Sequence, residues 1–503
     1  MAKPFRRVLI ANRGEIAVRI ARTLREMGMS PIAVYSDADR ASLHVRHSDY
    51  AVHIGPAPAS ESYLRIDAIL AAAKRTGADA IHPGYGFLSE RAEFVDACEA
   101  AGIAFIGPSA AAMRVMGQKT SARAAMEACG VPCVPGSGAL SSGQKAAEAA
   151  AKMGYPIMLK AAAGGGGKGM RLVQGPDTIE AAWRVASSEA QSAFGDASVY
   201  MEKALIKPRH IEVQIFANGH GDIWALGERD CSMQRRHQKV IEETPASSVP
   251  KATRKAMAEV ACQAARAVDY VGAGTVEFLL DASGAFYFLE MNTRLQVEHP
   301  VTEMCHNVDL VAAQIRVAQG ERVMLHDAQL QAVGHAMEAR LYAEDPGRGF
   351  LPSPGHVHGL ELASGPGVRV DCGIPAGGEV SQFYDPMIAK IVAWGEDREH
   401  ARRRLMRALS ETHVKGITTN KAFLLSLLES EAFMTNGYHT STVQAPEPQA
   451  VAAREPTGAA LDAALVALVM ARHLGQSPKA QGAQTPAGAP STWNAASWRL
   501  EGS

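Results

Sequence analysis

The eleven residues EMNTRLQVEHP, from Glu290 to Pro300, decide how this chain is interpreted. In an extended segment the side chains alternate between two faces, so residues at every second position point to the same side. Those residues are Glu290, Asn292, Arg294, Gln296 and Glu298. Charge clustered on one face costs free energy unless a ligand binds there. The alternation therefore predicts a ligand-binding strand; the alternative is a charged hairpin exposed to solvent.

The preceding residues predict that this stretch is the second strand of a hairpin. Two apolar runs are separated by the sequence DASG, which is typical of a tight turn. Pairing Leu280 with Ala285 places Glu277 opposite Phe288 and diagonally next to Glu290, on the same face. Diagonal neighbours lie about 7–8 Å apart, so the two Glu side chains can share metal ions. A slip of one residue in this register would place them on opposite faces.

Composition narrows the class of protein. The 503 residues suffice for three or four domains, and 51 basic against 52 acidic residues give a net charge of −1. This balance predicts no nucleic-acid partner, and the absence of an apolar run near 18 residues predicts no membrane span. The apolar run after Arg7 is too short for a signal peptide. Seven cysteines without a CxxC pair predict reduced thiols, and hence a cytoplasmic location.

The first hundred residues alternate between strand-like and helix-like patterns. Short apolar runs at 8–11, 31–35, 78–81 and 103–106 are typical of buried strands, and they predict a doubly wound parallel sheet. Gly14 stands alone, without the glycine triplet of a dinucleotide site, which argues against NAD binding. The segment HPGYGFLSE follows a strand end, where such sheets place ligand loops; the alternative is an ordinary glycine-rich turn.

A glycine run with flanking lysines predicts a phosphate-binding loop. Backbone N–H groups of glycines can approach an anion closely. The run is Gly164, Gly165, Gly166 and Gly167, between Lys160 and Lys168. It is not a Walker A loop, because Gly169 follows Lys168 where Ser or Thr is required. Strand-like segments on both sides predict a flap that closes over a nucleotide; a loose surface hairpin is the alternative.

Several motifs together resemble a known family. They are NRGEIA at 12–17, HPGYGFLSE at 82–90, the loop 160–170, the basic cluster 228–239, the stretch 290–300, AEDP at 343–346, FLPSPG at 350–355 and YDPMI at 384–388. In this order, from about residue 4 to about residue 440, they are similar to biotin carboxylases. The resemblance implies an α/β and α+β multidomain protein with the ATP-grasp fold.

The resemblance also implies a domain order. A pre-ATP-grasp domain with the doubly wound parallel sheet covers 1–115, and an ATP-grasp domain covers 116–325 with a mobile lid at about 133–203. A biotin carboxylase C-terminal domain covers 326–445. Ala162 and Ala163 stand where some members have Ser and Gly, which predicts a slightly stiffer lid.

The resemblance implies an ATP- and metal-binding site. Mg²⁺ (or Mn²⁺) is expected at Glu277, Glu290 and Asn292. The residues expected to contact ATP are Lys119, Lys160, Gly164 to Gly167, Glu202, Lys203, Leu205, His210, Gln234 and His237. Of these, Glu202, Lys203 and Leu205 match positions on the adenine side.

The resemblance further implies how biotin is carboxylated. Bicarbonate is expected at Lys239, Arg294, Gln296 and the Val297 amide. Glu298 matches the general base that deprotonates bicarbonate, and Arg340 matches the residue that stabilises the biotin enolate. The reaction forms carboxyphosphate from ATP and bicarbonate, as the first half-reaction of an acyl-CoA carboxylase. The expected catalytic residues are Glu298, Arg294, Arg340 and Lys239.

The expected partners are a biotin carboxyl carrier and a carboxyltransferase, within a homodimer or a larger complex. The chain contains no Met-Lys-Met motif, so the biotin is expected on a separate carrier protein or domain. Residues 446–503 include a linker-like stretch and two tryptophans, and they predict a folded-back tail, a docking segment or the start of a further domain. Two other functions stay open: an ATP-grasp ligase that makes a different acyl phosphate, and an inactive nucleotide-binding scaffold.

Overall fold

The computed structural model describes residues 4–162 and 170–443. The predicted phosphate-binding glycines Gly164 to Gly167, the residue Ala163 and the predicted tail at 446–503 lie outside the described residues. The predicted α/β and α+β architecture is confirmed in the described part of the chain.

The N-terminal part contains the predicted doubly wound parallel sheet. Its strands are β1 Arg7–Ile10, β2 Ser30–Ser36, β3 Tyr50–Gly55, β4 Ala80–His82 and β5 Ala104–Phe105. Its helices are α1 Gly14–Glu26, α2 Leu43–Arg46, α3 Ile66–Thr76 and α4 Ala92–Ala100, followed by α5 Ala110–Gly117 and α6 Lys119–Ala128. The strand order is β3-β2-β1-β4-β5, and every pair is parallel.

The strand order reverses between β1 and β4, which is where such sheets bind ligands at the carboxyl ends of their strands. Two of the sequence motifs meet there. Asn12, just after β1, donates hydrogen bonds from Nδ2 to the carbonyls of Pro83 and Tyr85, each at 2.7 Å. The segment 82–90 is therefore held at the switch point of the sheet.

The predicted lid region forms a small layer with its own hydrophobic core. It contains α7 Gly143–Met153, β6 Ile157–Ala161, β7 Arg171–Val173, α8 Ile179–Phe194 and β8 Val199–Lys203. β6 pairs antiparallel with both β7 and β8. The described strands on either side of the glycine run, β6 and β7, are thus antiparallel, as predicted from the flanks. Leu140, Ile157, Leu159 and Met201 belong to a core cluster that is separate from the other cores.

An eight-stranded sheet forms the centre of the described chain. The first group of elements is β9 Arg209–Ala217, β10 Ile223–Arg235, β11 Gln238–Thr244, α9 Lys251–Arg266, β12 Gly272–Leu280, β13 Phe286–Asn292, α10 His299–His306 and α11 Leu310–Ala318.

The remaining elements follow residue 330. They are β14 His335–Tyr342, β15 Glu344–Asp345, β16 Leu351–Pro352, β17 Gly355–His356, β18 Gly359–Glu361, β19 Val368–Cys372, β20 Glu379–Val380, β21 Met387–Gly395, α12 Arg398–Glu411, β22 His413–Lys415, α13 Lys421–Glu429 and α14 Glu431–Met434. The strand order of the large sheet is β13-β12-β9-β10-β11-β14-β21-β19. The sheet therefore crosses the predicted boundary at 325/326, which stays a prediction.

The hairpin of β12 and β13 corrects the predicted register. Leu280 pairs with Phe286 rather than Ala285, and Phe278, not Glu277, lies opposite Phe288. A β-bulge between Glu277 and Phe278 then adds one residue on β13. The bulge cancels the one-residue slip, so Glu277 lies directly opposite Glu290 instead of diagonally. The predicted same-face placement of the two carboxylates is therefore confirmed by a different pairing.

The predicted extended strand is wrong beyond Asn292. β13 ends there, and Glu298 has φ −81° and ψ 11°, at the start of α10. Pro300 lies in the first turn of that helix, a position where a missing N–H costs nothing. The alternating polar residues converge because the chain turns, and not because it stays extended.

No helix in the described part of the chain combines the length and the apolarity that a membrane span needs. All seven cysteines are free thiols.

A buried ion cluster ties the large sheet to α12. Glu243 of β11 accepts hydrogen bonds from His335 at 2.7 Å and from Arg398 at 2.8 and 3.0 Å. Tyr438 also donates to it. Burial alone would raise the pKa of Glu243, but these donors lower it to about 2.

We expect Glu243→Gln to lose up to about 3 kcal/mol of stability at neutral pH. A carboxyl group whose pKa is lowered by folding stabilises the folded state at pH values above its pKa in the unfolded chain. That contribution is lost as the pH falls from about 4.5 through about 2. The difference in urea midpoint between wild type and variant should thus shrink over this range. The exposed Glu61→Gln serves as control. A difference that persists at the same size at pH 3 contradicts the assignment.

Candidate active site

Lys239 of β11 lies at the centre of a cluster of buried carboxylates. Its Nζ is 2.6 Å from Glu212 Oε2, 2.9 Å from Glu277 Oε1 and 2.6 Å from Glu298 Oε1. Burial alone would lower the pKa of Lys239, but the neighbouring acidic groups raise it well above its usual value. Glu212 and Glu277 face each other across β9 and β12, so the sheet register fixes this arrangement. Lys239 is therefore a permanent cation in the centre of the site.

Glu298 is held between two cations. Its Oε1 accepts from Lys239, and its Oε2 lies 2.9 Å from Nη2 of Arg340 on β14. Arg340 also donates from Nε to Glu242 Oε1 at 2.6 Å. Burial would raise the pKa of Glu298, but Lys239, Arg340 and Arg229 lower it well below its usual range. The Glu298 carboxylate is thus ionised and can accept a proton.

Arg294 is fixed by the loop that follows β13. Its guanidinium donates to Gln296 Oε1 at 2.9 Å, to Asn292 Oδ1 at 3.0 Å and to Glu90 Oε2 at 2.8 Å. Gln296 in turn donates to Glu277 Oε1 at 3.2 Å. Glu90 ends the HPGYGFLSE segment, so this segment orients Arg294 from the N-terminal sheet. The structure thus links Arg294 and Gln296 to Lys239 through their shared partner Glu277.

Glu277, Glu290 and Asn292, the predicted metal ligands, lie at the end of the hairpin. Burial raises the pKa of Glu290, and the facing Glu277 carboxylate raises it further. Within the described residues no side chain forms an ion pair with Glu290. Facing carboxylates that repel each other suit a divalent cation with oxygen ligands. Asn292 Oδ1 accepts from Arg294 at 3.0 Å and keeps a second lone pair for a metal.

Of the predicted ATP lysines, Lys160 and Lys203 lie within the predicted lid region and Lys119 lies before it. Lys160 of β6 forms an ion pair with Glu202 of β8, and Lys119 begins α6. Burial lowers the pKa of Lys119, whereas the Glu290 carboxylate acts in the opposite direction. Lys203 donates from Nζ to the carbonyls of Gly154 and Tyr155, at 2.9 and 3.0 Å, so its side chain faces the lid. Half-buried Leu205 follows β8.

The three remaining predicted ATP residues differ in their placement. His210 Nε2 lies 2.9 Å from Glu277 Oε2. Burial would lower the pKa of His210, but the Glu277 carboxylate raises it. Gln234 is buried and pairs with Lys239 in the sheet. His237 is exposed in the turn between β10 and β11, with φ +67°.

Sequence reasoning missed several residues of this site. The missed residues, all buried, are Glu212, Arg229 and Glu242. Glu212 forms an ion pair with Lys239, Glu242 forms one with Arg340, and Arg229 forms one with Glu212. Arg229 reaches Glu212 from Nε at 2.5 Å. The sequence His210-Ile-Glu-Val-Gln214 carries the same every-second-residue polar pattern as the stretch 290–300. That pattern was the available signal for Glu212.

Family comparisons match nearly all of the described chain. Residues 4–113 match the model "Biotin carboxylase, N-terminal domain", and residues 338–445 match "Biotin carboxylase C-terminal domain". Between them, residues 118–326 match "Carbamoyl-phosphate synthase L chain, ATP binding domain". The biotin carboxylase of Nostoc sp. is 50% identical over 441 residues, which cover 88% of this chain and 99% of that protein.

The chain belongs to the biotin carboxylase family.

Two further relatives are similar over nearly the same share of this chain. The methylcrotonoyl-CoA carboxylase subunit alpha of Dictyostelium discoideum is 48% identical over 456 residues, which cover 90% of this chain but 65% of that subunit. The crystal structure of a biotin carboxylase–β-γ-ATP complex from Campylobacter jejuni superposes with a TM-score of 0.84 at 48% identity. The superposed region covers 98% of that chain and 87% of this one.

The predicted family and the predicted ATP-grasp type of architecture are confirmed by these comparisons. The predicted enzyme class, an ATP-dependent ligase of the biotin carboxylase type, is confirmed by the same relatives. The roles of single residues stay predictions, which the site geometry now makes specific.

Proposed function

We propose that this chain carboxylates biotin on a carrier protein with ATP and bicarbonate, through carboxyphosphate, as the first half-reaction of an acyl-CoA carboxylase. One observation carries the proposal: the ionised Glu298 carboxylate lies between Lys239 and Arg340. A base between cations suits a substrate that is both an anion and a proton donor. Bicarbonate has both properties.

Bicarbonate would bind against Lys239 and Arg294, with Gln296 and the Val297 amide completing the site. In the free site Lys239 contacts three carboxylates, of which Glu212 also pairs with Arg229 and Glu298 also pairs with Arg340. Arg294 supplies a second cation whose planar fork matches a carboxylate-like anion. A bound anion shares the charge of these cations. It thereby raises the pKa of Glu298 and makes it a stronger base than it is in the free site.

The phosphoryl donor would lie beside the hairpin and under the lid. Glu277, Glu290 and Asn292 would hold Mg²⁺ (or Mn²⁺), which neutralises phosphate charge when it is bound. Lys119 and Lys160 would contact the phosphates, and Glu202, Lys203 and Leu205 would lie near the adenine. The biotin carboxylase domain of a 2-oxoglutarate carboxylase from Hydrogenobacter thermophilus, 40% identical with a TM-score of 0.83, was crystallised in complex with MgADP and bicarbonate. That complex supports the same ligands here.

The second step would use Arg340. Glu298 takes the bicarbonate proton while the bicarbonate oxygen attacks the γ-phosphorus and ADP leaves. Carboxyphosphate then releases CO₂ and phosphate, the phosphate takes the proton from the ureido nitrogen of biotin, and that nitrogen bonds to CO₂. The ureido oxygen gains negative charge in this step, and the Arg340 guanidinium is the donor placed to stabilise it.

The partners would be a biotin carboxyl carrier and a carboxyltransferase. The methylcrotonoyl-CoA carboxylase relatives are longer than this chain, which spans 65% or less of their length. Their identities of 48–53% support an acyl-CoA carboxylase as the assembly. The Hydrogenobacter domain was crystallised as a dimer, which supports a homodimer.

The decisive experiment measures ATP hydrolysis by the purified chain with and without bicarbonate, and then with free biotin. We expect hydrolysis to require bicarbonate and to rise when biotin is added, with labelled bicarbonate fixed into carboxybiotin. Hydrolysis that ignores bicarbonate but responds to another carboxylic acid indicates a different ATP-grasp ligase. ATP binding without any turnover indicates a scaffold.

A further inference from the structure

Lys390 of β21 is a buried lysine with no role in the mechanism above. Its relative exposure is 0%, and it is one of the largest fully buried side chains. The sheet places it directly opposite Arg340 on β14 and Asp371 on β19. Burying an ammonium group costs several kcal/mol unless it is paired. A position that only fills space would suit Met or Leu, so the contacts of Lys390 need an explanation.

The Lys390 ammonium joins four separate segments. Its Nζ donates to the Val297 carbonyl at 2.8 Å and lies 3.2 Å from Glu15 Oε1 at the start of α1. It lies 3.9 Å from Asp371 Oδ2 and 6.0 Å from the ring centroid of Tyr85. The shortest of these contacts is the one to the loop that precedes α10. Lys390 therefore holds that loop against both the N-terminal sheet and the large sheet.

The held carbonyl belongs to the peptide unit between Val297 and Glu298. Because a peptide unit is planar, fixing its carbonyl also fixes the direction in which Glu298 leaves the loop. On the other side of Val297, His299 Nδ1 lies 2.7 Å from the Gln296 carbonyl. Two consecutive carbonyls are thus anchored by buried side chains. The N–H of Val297 and the carboxylate of Glu298 are the groups whose directions depend on these anchors.

Other contacts within the described residues fix Lys390 itself. Tyr85 donates its hydroxyl to Glu15 Oε1, and Asp371 forms an ion pair with Arg369 at 2.8 Å. Glu15 and Asp371, the two carboxylates that flank the ammonium, are therefore each held by a second partner. An ammonium on a rigid strand with fixed counter-ions is a precise anchor for a loop that has no regular secondary structure.

We propose that Lys390 is a positioning residue for bicarbonate: through the Val297 carbonyl it sets the direction in which the chain enters the base Glu298. The inference rests on the proposed function, because it assigns Lys390 to the same site. Lys390 does not contact the reacting atoms. Its loss affects the bicarbonate site through the 296–298 loop.

The test is Lys390→Met, which keeps the length and apolar volume of the side chain but removes the donor and the charge. We expect KM for bicarbonate to rise by about tenfold or more and kcat of the bicarbonate-dependent ATPase to fall, since small misplacements of reacting groups cost up to about 10²-fold. KM for ATP should stay within about twofold, because none of the predicted ATP residues that the structure describes contacts Lys390. A role limited to stability would lower the melting temperature and leave KM for bicarbonate unchanged.

Lys421→Met is the matched control. Lys421 also donates its Nζ to a backbone carbonyl, that of Thr412 at 2.8 Å, but in the C-terminal helices away from the loop. Lys390→Gln, which keeps a neutral donor, should give an intermediate KM and replaces Lys390→Met if that variant does not fold. An unchanged KM for bicarbonate in whichever variant folds overturns the proposal, and so does failure of both to fold. If wild type itself shows no bicarbonate-dependent turnover, the proposed function fails instead.

Discussion

Glu298→Gln should reduce the kcat of bicarbonate-dependent ATP hydrolysis by about 10²–10⁴-fold, the range for removing a general base. Gln has nearly the same shape as Glu, but its amide cannot accept the bicarbonate proton. The structure makes this the largest single effect expected in the site, since Glu298 is the acidic group that contacts both Lys239 and Arg340. The measurement is steady-state ATPase activity at saturating bicarbonate.

ATP binding should survive this substitution. Lys239 keeps Glu212 and Glu277 as partners, and Arg340 keeps Glu242, so neither cation is left unpaired in the interior. We therefore expect the Kd of ATP, measured by calorimetry, to change by less than about threefold. The predicted metal ligands on the hairpin are not altered.

Glu228→Gln is the control for Glu298→Gln. Glu228 is also a buried glutamate of the large sheet, but its partners are Arg254 at 2.9 Å and the Ala246 amide at 3.1 Å. This variant should keep bicarbonate-dependent turnover near that of wild type. Near-normal turnover in Glu298→Gln would remove Glu298 from the role of base, and a loss of ATP binding would indicate a structural role.

The sequence was sufficient to predict the polar chemistry of the hairpin, but not its pairing. The same-face placement of Glu277 and Glu290 follows from period-two alternation, which depends only on strand geometry. The register depends on the bulge at Glu277, which comes from packing between neighbouring strands and leaves no local pattern. The end of the strand at Asn292 was missed because the polar alternation continues in the loop beyond it.

The long-range contacts of the site were beyond sequence reasoning. Arg294 donates to Glu90, which is 204 residues away in the sequence, and Lys390 donates to the Val297 carbonyl, which is 93 residues away. Lys390 stands in the apolar run MIAKIVAW, which is typical of a buried strand, but the run does not indicate which loop its ammonium group contacts. Residues that act on substrates carry recognisable motifs, whereas those that orient them are visible only in the fold.

Arg340→Ala should separate the two half-steps of the proposed reaction. We expect carboxylation of free biotin to fall by about 10²–10³-fold, as for the loss of one donor to a developing oxyanion. The bicarbonate-dependent ATPase, measured without biotin, should fall by less than about tenfold, because Lys239 still holds Glu298 and Arg294 still binds the anion. The readouts are labelled carboxybiotin and released phosphate from the same samples.

Arg340→Lys tests whether charge alone is sufficient. A lysine keeps the positive charge but lacks the planar fork that reaches Glu242 and Glu298 at once. It should therefore restore the ATPase more fully than biotin carboxylation. The fold should not be left with an unpaired buried charge at Glu242. Burial raises the pKa of Glu242 to about 7 even beside Arg340, so Glu242 takes up a proton when the guanidinium is removed. The fold should thus tolerate the alanine variant, and equal losses in both reactions would show that Arg340 orients Glu298 rather than stabilising the enolate.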